Sequence, residues 1–471
     1  MPIVRLRNKA QEGWLPETVT SARNRDMTLK TQIRIAAWIC VLWLAFFAMP
    51  SLESVTNSVS AIFQPSMDAR CDAANSVSTW RCRNARKHAQ RLLSKHPLID
   101  GHVDVPVIAR YRYANKVETI PFDQPAFANG SYPTSGHVDI PRLRLGKGGG
   151  FFWSAYVVCP EPTAVGDNFE HAGSQITVRD TIEQLDVIKQ MTDRYPHDFA
   201  LVDSASAARK AFKKGQMISF IGIEGAHSLG NSLFALRAFS SLFSTSTPGP
   251  VRYLTLTHTC HNAFADSAGQ HPPRWNGLSP FASHLIYELN RLAIVPDLSH
   301  VSDETALQTI DVTRGPVMLS HSAARALKDL ERNVPDEVLH KLAKSDKDHV
   351  VMINAYPGFI GGSEDLEQYI KHIEYVSGIV GRDHVGVGTD FDGIMSVPKG
   401  LEDVSNYPDL VAKLVERGWT DTEIVGFAGE NVLRVLEAAE DVAHQMRRDG
   451  AQPDNTNWKD VFGSSSHHSE L

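Results

Sequence analysis

The sequence predicts a parallel (β/α)8 barrel of the α/β class, a TIM-like fold, preceded by an N-terminal transmembrane signal anchor. Three observations support this prediction. Eight short apolar runs recur along the chain, helical patterns lie between most of them, and five runs end in or next to side chains that can bind metal ions. A parallel barrel would bring those side chains together, because the carboxyl ends of all its strands meet at one mouth.

The eight runs have the length of strands and are bounded by Gly, Pro or polar residues. They are Pro97–Asp100, Phe151–Val158, Ile218–Glu224, Tyr253–His258, Leu292–Asp297, Val317–His321, Val350–Ala355 and Val385–Asp390. Several helical patterns begin at a Ser or Asp that can cap a helix. They include Thr181–Arg194, Ala205–Lys214, Ala282–Arg291, Asp303–Ile310, Asp336–Lys344, Asp365–Gly378 and a final helix at Asp421–Met446. Such alternation is typical of a parallel barrel.

The length of the chain fits one large catalytic domain with an additional targeting segment. At 471 residues, it equals about three average domains, but α/β barrels often exceed the average size as one unit. Composition divides the chain into a cytoplasmic basic segment at 1–34, a transmembrane anchor at 35–49, a stalk at 50–88, a barrel at 89–446 and a polar, disordered tail at 447–471.

The segment from Ile35 to Met49 is almost entirely apolar, and seven basic residues precede it. By the positive-inside rule, the N-terminus stays in the cytoplasm and the rest of the chain crosses the membrane. A bilayer needs about 20 apolar residues, so a cleaved signal peptide is the competing interpretation. The long basic segment favours an uncleaved anchor. We therefore expect a single-pass membrane protein with an extracytoplasmic catalytic domain, or a secreted protein if the run is cleaved.

The cysteines and a glycosylation sequence agree with an exported protein, and the charge argues against nucleic-acid binding. The net charge of −7 offers no basic surface to nucleic acid. Asn129 begins the sequence Asn-Gly-Ser, which is an acceptor for N-glycosylation. Outside the apolar run, the chain has an even number of cysteines that can pair outside the cytosol: Cys71, Cys82, Cys159 and Cys260.

Five residues at the ends of predicted strands have the chemistry of metal ligands. His102 and Asp104 flank one residue, so both side chains point to the same face of a strand. Glu224 ends an apolar run, where a buried carboxylate needs a cation, hydrogen bonds or a proton. His300 and His321 close two further runs. Each alone can be an ordinary core residue, but together they predict a site for two metal ions.

Six stretches also match a known family. They are LIDGHVDVP (98–106), IGIEGAHSLG (221–230), RYLTLTHTC (252–260), DLSHVS (297–302), SHSAARALKDLERNVPD (320–336) and VGVGTDFDG (385–393). Together they resemble the membrane dipeptidases, also called renal dipeptidases, of the amidohydrolase-like barrel group. The resemblance runs from about Lys95 to Glu440. It implies a zinc metallopeptidase that hydrolyses dipeptides with a free C-terminal carboxylate.

The resemblance implies two Zn²⁺ ions in each chain. His102 and Asp104 would bind one ion, His300 and His321 would bind the other, and Glu224 would bridge both. A hydroxide between the two ions would then attack the peptide carbonyl, because paired cations lower the pKa of the water they share.

The resemblance also implies residues that handle the substrate. His258 would donate a hydrogen bond to the tetrahedral oxyanion. Asp390 would act as general base and then as general acid. Arg332 would hold the free carboxylate of the dipeptide. Asp392 is a rival to Asp390, although its place in the sequence Asp-Phe-Asp-Gly also suits a turn.

Several questions stay open at this stage. The resemblance implies a disulfide between Cys159 and Cys260, whereas a bridge between Cys71 and Cys82 is only a guess. The loop after Cys260 and the segment 240–250 depart from the family, and we expect the N-terminal signal anchor to replace the family's usual C-terminal anchor. Alternative functions are an amidohydrolase for another small amide and a non-catalytic, membrane-tethered binding protein. The preferred dipeptides and the formation of a homodimer are also undetermined.

Overall fold

The computed structural model describes residues 76–124, 136–160, 174–244 and 247–462. The chain divides into residues 1–68 and 69–471, and all described residues belong to the second unit. The predicted anchor at 35–49, Asn129 and Cys71 lie outside the described residues. Within the described ranges, no helix combines the length and the apolar character that a membrane crossing requires.

The described chain forms a parallel sheet that curls into a nearly closed barrel. Its strands are β1 (Leu98–Val103), β2 (Gly148–Tyr156), β3 (Phe199–Leu201), β4 (Met217–Glu224), β5 (Val251–Thr255), β6 (Val295–Asp297), β7 (Val317–Ser322), β8 (His349–Ile353) and β9 (Val385–Val387). Eight of them follow the order β1-β2-β4-β5-β6-β7-β8-β9, and β3 pairs with β4 beside this path. The two ends meet where Val103 pairs with Phe391. The predicted parallel barrel and its eight strands are confirmed.

Helices alternate with these strands. They are α1 (Ser76–Leu93), α2 (Val105–Tyr113), α3 (Ile140–Leu145), α4 (Ser174–Arg194), α5 (Ala205–Lys213), α6 (Leu233–Ser241), α7 (Ala282–Arg291), α8 (Asp303–Val312), α9 (Asp336–Lys344), α10 (Pro357–Ile360), α11 (Leu366–Val380), α12 (Tyr407–Glu416), α13 (Asp421–Val425), α14 (Asn431–Arg448) and α15 (Trp458–Phe462). Ser204, Ser302 and Asp365 cap α5, α8 and α11 by accepting a backbone N–H bond three residues on.

Side chains that point into the barrel form a packed layer. Phe152 stacks on Phe220 with ring centroids 5.0 Å apart, and Tyr253 lies 5.2 Å from Phe152. Met318 and Met352 belong to the same buried cluster. Because strand side chains alternate between faces, the residues between these positions pack outward instead. Side chains therefore fill the interior of the barrel, and this packing supports the ends of the strands.

Residues 50–75 of the predicted stalk at 50–88 lie outside the described part of the chain. The rest of that prediction is wrong, because helix α1 begins at Ser76. Its residues Ala85 and Ala89 are buried, and the helix packs against α12. The small buried residues carry too little apolar character to reveal this packing in the sequence.

The prediction of a disordered C-terminal tail is also wrong for residues 447–462, which are ordered and pack against the barrel. Trp458 packs on Trp275 and Phe281, with ring centroids 6.3 and 6.0 Å apart. The Asp454 carboxylate lies 2.6 Å from Nδ1 of His284. Trp458, Val461 and Phe462 supply apolar contacts that the polar average composition of the tail does not reveal.

Candidate metal centre

The five predicted ligands converge at the carboxyl-terminal mouth of the barrel. His102 lies near the end of β1 and Asp104 follows it, while Glu224 ends β4 and His321 lies near the end of β7. His300 follows β6 by three residues. The four side chains other than His300 are at most 5% exposed, and His300 is 11% exposed.

Glu224 lies at the centre of this group. Its Oε1 is 3.2 Å from Nε2 of His300 and 3.4 Å from Nε2 of His321. Its Oε2 faces the other side and lies 3.6 Å from Nε2 of His102. Asp104 completes that side, because its Oδ2 is 3.3 Å from the same nitrogen. The carboxylate of Glu224 thus reaches both halves of the cluster.

Glycine at position 101 allows His102 and His321 to approach each other. A Cβ atom on Gly101 would lie 2.4 Å from the carbonyl oxygen of Ser320, so any other residue would push β1 away from β7. With glycine there, the rings of His102 and His321 stack with centroids 3.9 Å apart. The close approach of β1 and β7 thereby sets the spacing between the two ligand pairs.

The nitrogen and oxygen atoms of these side chains are arranged to bind a cation, not to form hydrogen bonds with one another. Among the described residues, the buried Oδ1 of Asp104 has no hydrogen-bond partner, and Nε2 of His102 has carboxylate oxygens only at 3.3 and 3.6 Å, without hydrogen-bond geometry. Nε2 of His300 and Nε2 of His321 lie 2.9 Å apart. Buried polar atoms normally have partners, and a divalent cation between these atoms would satisfy them. Glu224 belongs to two groups of residues in which the ligand atoms lie within 4.8 Å of one another. One group includes His102 and Asp104, and the other includes His258 and His300.

Electrostatics favours a positive charge at the centre. Burial lowers the pKa of His300 and of His321 well below the ordinary value, so both imidazoles are neutral and able to bind metal. Burial also lowers the pKa of His102, but the nearby Tyr253, Glu224 and Asp104 outweigh it, and the net pKa is raised well above the ordinary value. Although burial raises the pKa of Glu224, the neighbouring histidines hold it well below the usual range.

His300 has a backbone conformation that is unusual for a residue other than glycine. Its φ angle is +66°, in the left-handed region that most residues avoid. Two donors hold its carbonyl oxygen: the backbone N–H of Ala268 at 2.8 Å and the hydroxyl of Thr257 at 3.0 Å. Such conformations cluster at functional sites, where the surrounding structure holds them in place.

Asp390 and its rival Asp392 face different partners. Asp390 Oδ2 accepts a hydrogen bond from the side-chain amide of Asn354 at 3.0 Å. A carboxylate oxygen of Asp390 and one ring nitrogen each of His102 and His321 also lie within 4.8 Å of one another. Asp392 instead accepts a hydrogen bond from the backbone N–H of His137, whose Nδ1 in turn lies 2.9 Å from the backbone nitrogen of Asp392. The geometry therefore favours Asp390 for a role at the centre.

Arg332 lies beside the ligands, on the loop after β7. Its Nη2 donates to the carbonyl oxygen of His321 at 2.9 Å, and its Nη1 donates to the hydroxyl of Ser322 at 3.2 Å. Its Nε is buried without a hydrogen-bond partner. The guanidinium also lies 5.3 Å above the ring of Phe359. The chain thus fixes two nitrogens of this cation and leaves its Nε–H without a hydrogen-bond acceptor among the described residues.

His258 is the fourth histidine of the centre. Its Nε2 is 3.8 Å from Oε1 of Glu224, and its ring contacts Tyr156 edge-on with centroids 4.8 Å apart. Its Nδ1 lies 3.1 Å from the hydroxyl of Thr259. Burial lowers the pKa of His258, so the ring is neutral and one nitrogen carries a proton.

A disulfide fixes the loop that carries His258. Cys159, after β2, is bonded to Cys260, two residues beyond that histidine. The pairing that the family resemblance implied is therefore present. His227 lies nearby but is buried, with Nε2 2.9 Å from the carbonyl oxygen of Val157. His261 lies 3.1 Å from Asp266, outside the centre.

The sequence did not identify several polar residues that contact the site. Tyr253 lies with its hydroxyl 2.7 Å from Nδ1 of His102, and Ser320 lies 2.7 Å from Nδ1 of His321. Asn354 contacts Asp390, as described above. The sequence shows that these residues lie in or beside apolar runs. Only the fold shows which side chains at the ends of the strands contact one another.

Comparison with known proteins agrees with this architecture. A family model for membrane dipeptidases, peptidase family M19, matches residues 86–450. An uncharacterized dipeptidase of Schizosaccharomyces pombe is 39% identical over 388 residues, which cover 81% of this chain and 89% of that protein.

Two solved structures extend the comparison. The dipeptidase AC, a metallopeptidase of family M19, is 26% identical with a TM-score of 0.62, over 73% of this chain and 99% of that one. A metallopeptidase from Rhodobacter sphaeroides, liganded with a phosphinate mimic of the dipeptide L-Ala-D-Ala, is 24% identical with a TM-score of 0.61, over the same shares. The matched family model and the relative in fission yeast together confirm the resemblance, and this chain belongs to the membrane dipeptidase family of metallopeptidases.

Proposed function

We propose that this protein is a dinuclear zinc dipeptidase. The observation that carries the proposal is the position of Glu224, whose two oxygens face different pairs of ligands. His102 and Asp104 would hold one zinc ion, and His300 and His321 would hold the other, with Glu224 between them. Nitrogen and carboxylate oxygen ligands are those that zinc prefers.

The chemistry of the reaction divides between the metal ions and the chain. Bound zinc would lower the pKa of the attacking water and polarise the peptide carbonyl. Asp390 would accept the proton of that water and deliver it to the leaving amine. The raised pKa that burial gives to Asp390 suits a group that must both take and release a proton. Asn354 would orient it, since its amide donates to the Oδ2 atom.

His258 would stabilise the oxyanion that forms during the attack. Its ring lies beside the centre, held by Tyr156 on one side and by the hydroxyl of Thr259 at Nδ1. A neutral imidazole with its proton on Nε2 can donate a hydrogen bond toward the centre. The disulfide at Cys260 restrains the loop that aims this ring.

The substrate would be a dipeptide with a free carboxylate. Arg332 supports this assignment, because two of its nitrogens are already fixed by His321 and Ser322 while its Nε has no hydrogen-bond partner. The Nε–H of a guanidinium held in this way can donate a charge-assisted hydrogen bond to a carboxylate. Such a clamp near the metal centre would limit the length of the peptide.

We also propose an extracytoplasmic location, with the apolar run at 35–49 as the membrane anchor. The disulfide between Cys159 and Cys260 supports this location, because disulfides persist in oxidising compartments.

Metal removal and replacement would test the catalytic proposal. A chelator should abolish hydrolysis of a panel of dipeptides by the purified protein, and added zinc should restore it. Full activity in protein freed of metal would refute the proposal.

A further inference from the structure

A buried carboxylate lies beneath the metal centre and does not face the metal ligands directly. Asp297 ends β6 and is fully buried. Its Oδ1 accepts hydrogen bonds from the backbone nitrogens of Ser299 and Ser320 at 3.1 and 2.8 Å. Its Oδ2 accepts hydrogen bonds from the hydroxyls of Thr255 and Ser320, both at 2.6 Å. All four contacts come from donors, so Asp297 acts here only as an acceptor.

The hydroxyl of Ser320 connects this carboxylate to His321. Its oxygen lies 2.7 Å from Nδ1 of the imidazole. A hydroxyl has one hydrogen, and the hydrogen of Ser320 is already donated to Asp297. The oxygen of Ser320 must therefore accept, which requires a proton on Nδ1 of His321. A neutral imidazole has one N–H, so the lone pair remains on Nε2, the atom that lies 3.4 Å from Glu224.

We propose that Asp297 and Ser320 form a positioning relay that holds His321 in the tautomer able to bind a metal ion through Nε2. The inference deepens the proposed function and rests on it, because the tautomer matters only where His321 is a metal ligand. In metal sites, the hydrogen bond at one ring nitrogen decides which nitrogen is available to the metal.

His102 shows that the constraint is particular to His321. Its Nδ1 lies 2.7 Å from the hydroxyl of Tyr253. A phenol can donate or accept, and among the described residues no carboxylate accepts a hydrogen bond from this phenol in the way that Asp297 accepts one from Ser320. The relay therefore orders one of the two halves of the centre.

Replacement of Asp297 by asparagine should reverse the relay. The backbone N–H groups of Ser299 and Ser320 can only donate, so the amide oxygen of the new side chain must face them. Its NH₂ group then faces the hydroxyls and donates to Ser320. The hydrogen of Ser320 would turn to Nδ1 of His321, and the proton of the imidazole would move to Nε2, where it blocks metal binding.

The test compares three variants of the purified full-length protein: Ser320→Ala, Asp297→Asn and the matched control Thr255→Val. The control removes a hydroxyl that is also 2.6 Å from Asp297, but it leaves the contact between Ser320 and His321 intact. Competition with a chromophoric chelator measures zinc affinity. We expect affinity about 10- to 100-fold weaker in Ser320→Ala and Asp297→Asn, and unchanged affinity in Thr255→Val.

A second measurement does not depend on metal or activity. In metal-free protein with ¹⁵N-labelled histidine, the chemical shifts of His321 should report a proton on Nδ1 in the unmodified chain and in Thr255→Val. Asp297→Asn should move that proton to Nε2. If Ser320→Ala does not fold, the comparison between Asp297→Asn and the control still decides the question.

Two outcomes would overturn the relay: equal loss of zinc affinity in Ser320→Ala and Thr255→Val, or a proton that stays on Nδ1 of His321 in Asp297→Asn. A different outcome concerns the proposed function. If the unmodified protein binds no zinc, the metal centre itself is refuted, and the tautomer measured without metal still tests the relay separately.

Discussion

Replacement of Arg332 by methionine tests which class of substrate the centre takes. The methionine side chain keeps an unbranched apolar stem, but it is shorter and has neither the charge nor the N–H donors of arginine. If Arg332 binds the free carboxylate of a dipeptide, the variant should lose affinity for the acid. It should lose little for the same dipeptide with an amidated C-terminus, because the amide has no charge to bind.

The structure sets the expected size of this effect. Two nitrogens of Arg332 contact His321 and Ser322, and the buried Nε has no hydrogen-bond partner. A hydrogen bond to a charged group contributes about 1.5–3 kcal/mol. Each 1.36 kcal/mol changes a rate or equilibrium constant tenfold, so kcat/KM for the acid should fall by about 10- to 150-fold.

The assay measures kcat/KM for a dipeptide acid and its amide with the unmodified enzyme, with Arg332→Met and with a control. Lys328→Met is the matched control, since Lys328 is a cation on the same loop and its side chain is exposed. It should leave the ratio of acid to amide unchanged. Zinc content should be measured in each variant, because Arg332 also contacts the backbone of His321.

The reasoning would be refuted if the unmodified enzyme hydrolysed acid and amide at equal rates. That result would favour the alternative of an amidohydrolase with a wider range of small amides. An equal loss on both substrates in Arg332→Met would show that the arginine supports the metal ligand and not the substrate.

Three further predictions follow from the fold and the sequence. Asp390→Asn should keep its zinc while kcat falls by about 10²-fold or more, and a loss of that size in Asp392→Asn alone would show that the other carboxylate is the base. Replacing Cys159 and Cys260 by alanine opens a loop of 101 residues and should reduce the free energy of unfolding by about 2–5 kcal/mol; an unchanged urea midpoint would contradict this. The run at 35–49 should remain in the mature protein and resist alkaline carbonate extraction, whereas a secreted form that begins after Met49 would identify a cleaved signal.

The sequence predicted the barrel well because its strands are buried on both faces and read as separate apolar runs. It did not predict β3, since Phe199–Leu201 has only three residues and lacks a periodic pattern. Strand β9 ends at Val387, three residues before its predicted end, and β6 begins at Val295, three residues after its predicted start. Beyond β6 and β9 the backbone turns into left-handed conformations at His300 and Asp390, which a hydrophobic pattern does not show.

The candidate ligands were predictable because each ends or follows an apolar run, where an ionisable side chain needs a partner. The residues that orient them were not. Asp297 also ends an apolar run, so the same rule could not distinguish it from Glu224. Only the register between β6 and β7 shows that Asp297 faces the backbone and hydroxyl of Ser320, while Glu224 faces the centre.

Anomalous X-ray diffraction at the zinc absorption edge would test the central claim most directly. For crystals of the unmodified protein with zinc, we predict two peaks about 3.5–4 Å apart, the spacing typical of two-metal sites. One peak should lie beside His102 and Asp104, the other beside His300 and His321, with Glu224 in contact with both. A single peak, or two peaks that do not share Glu224, would contradict the proposed centre.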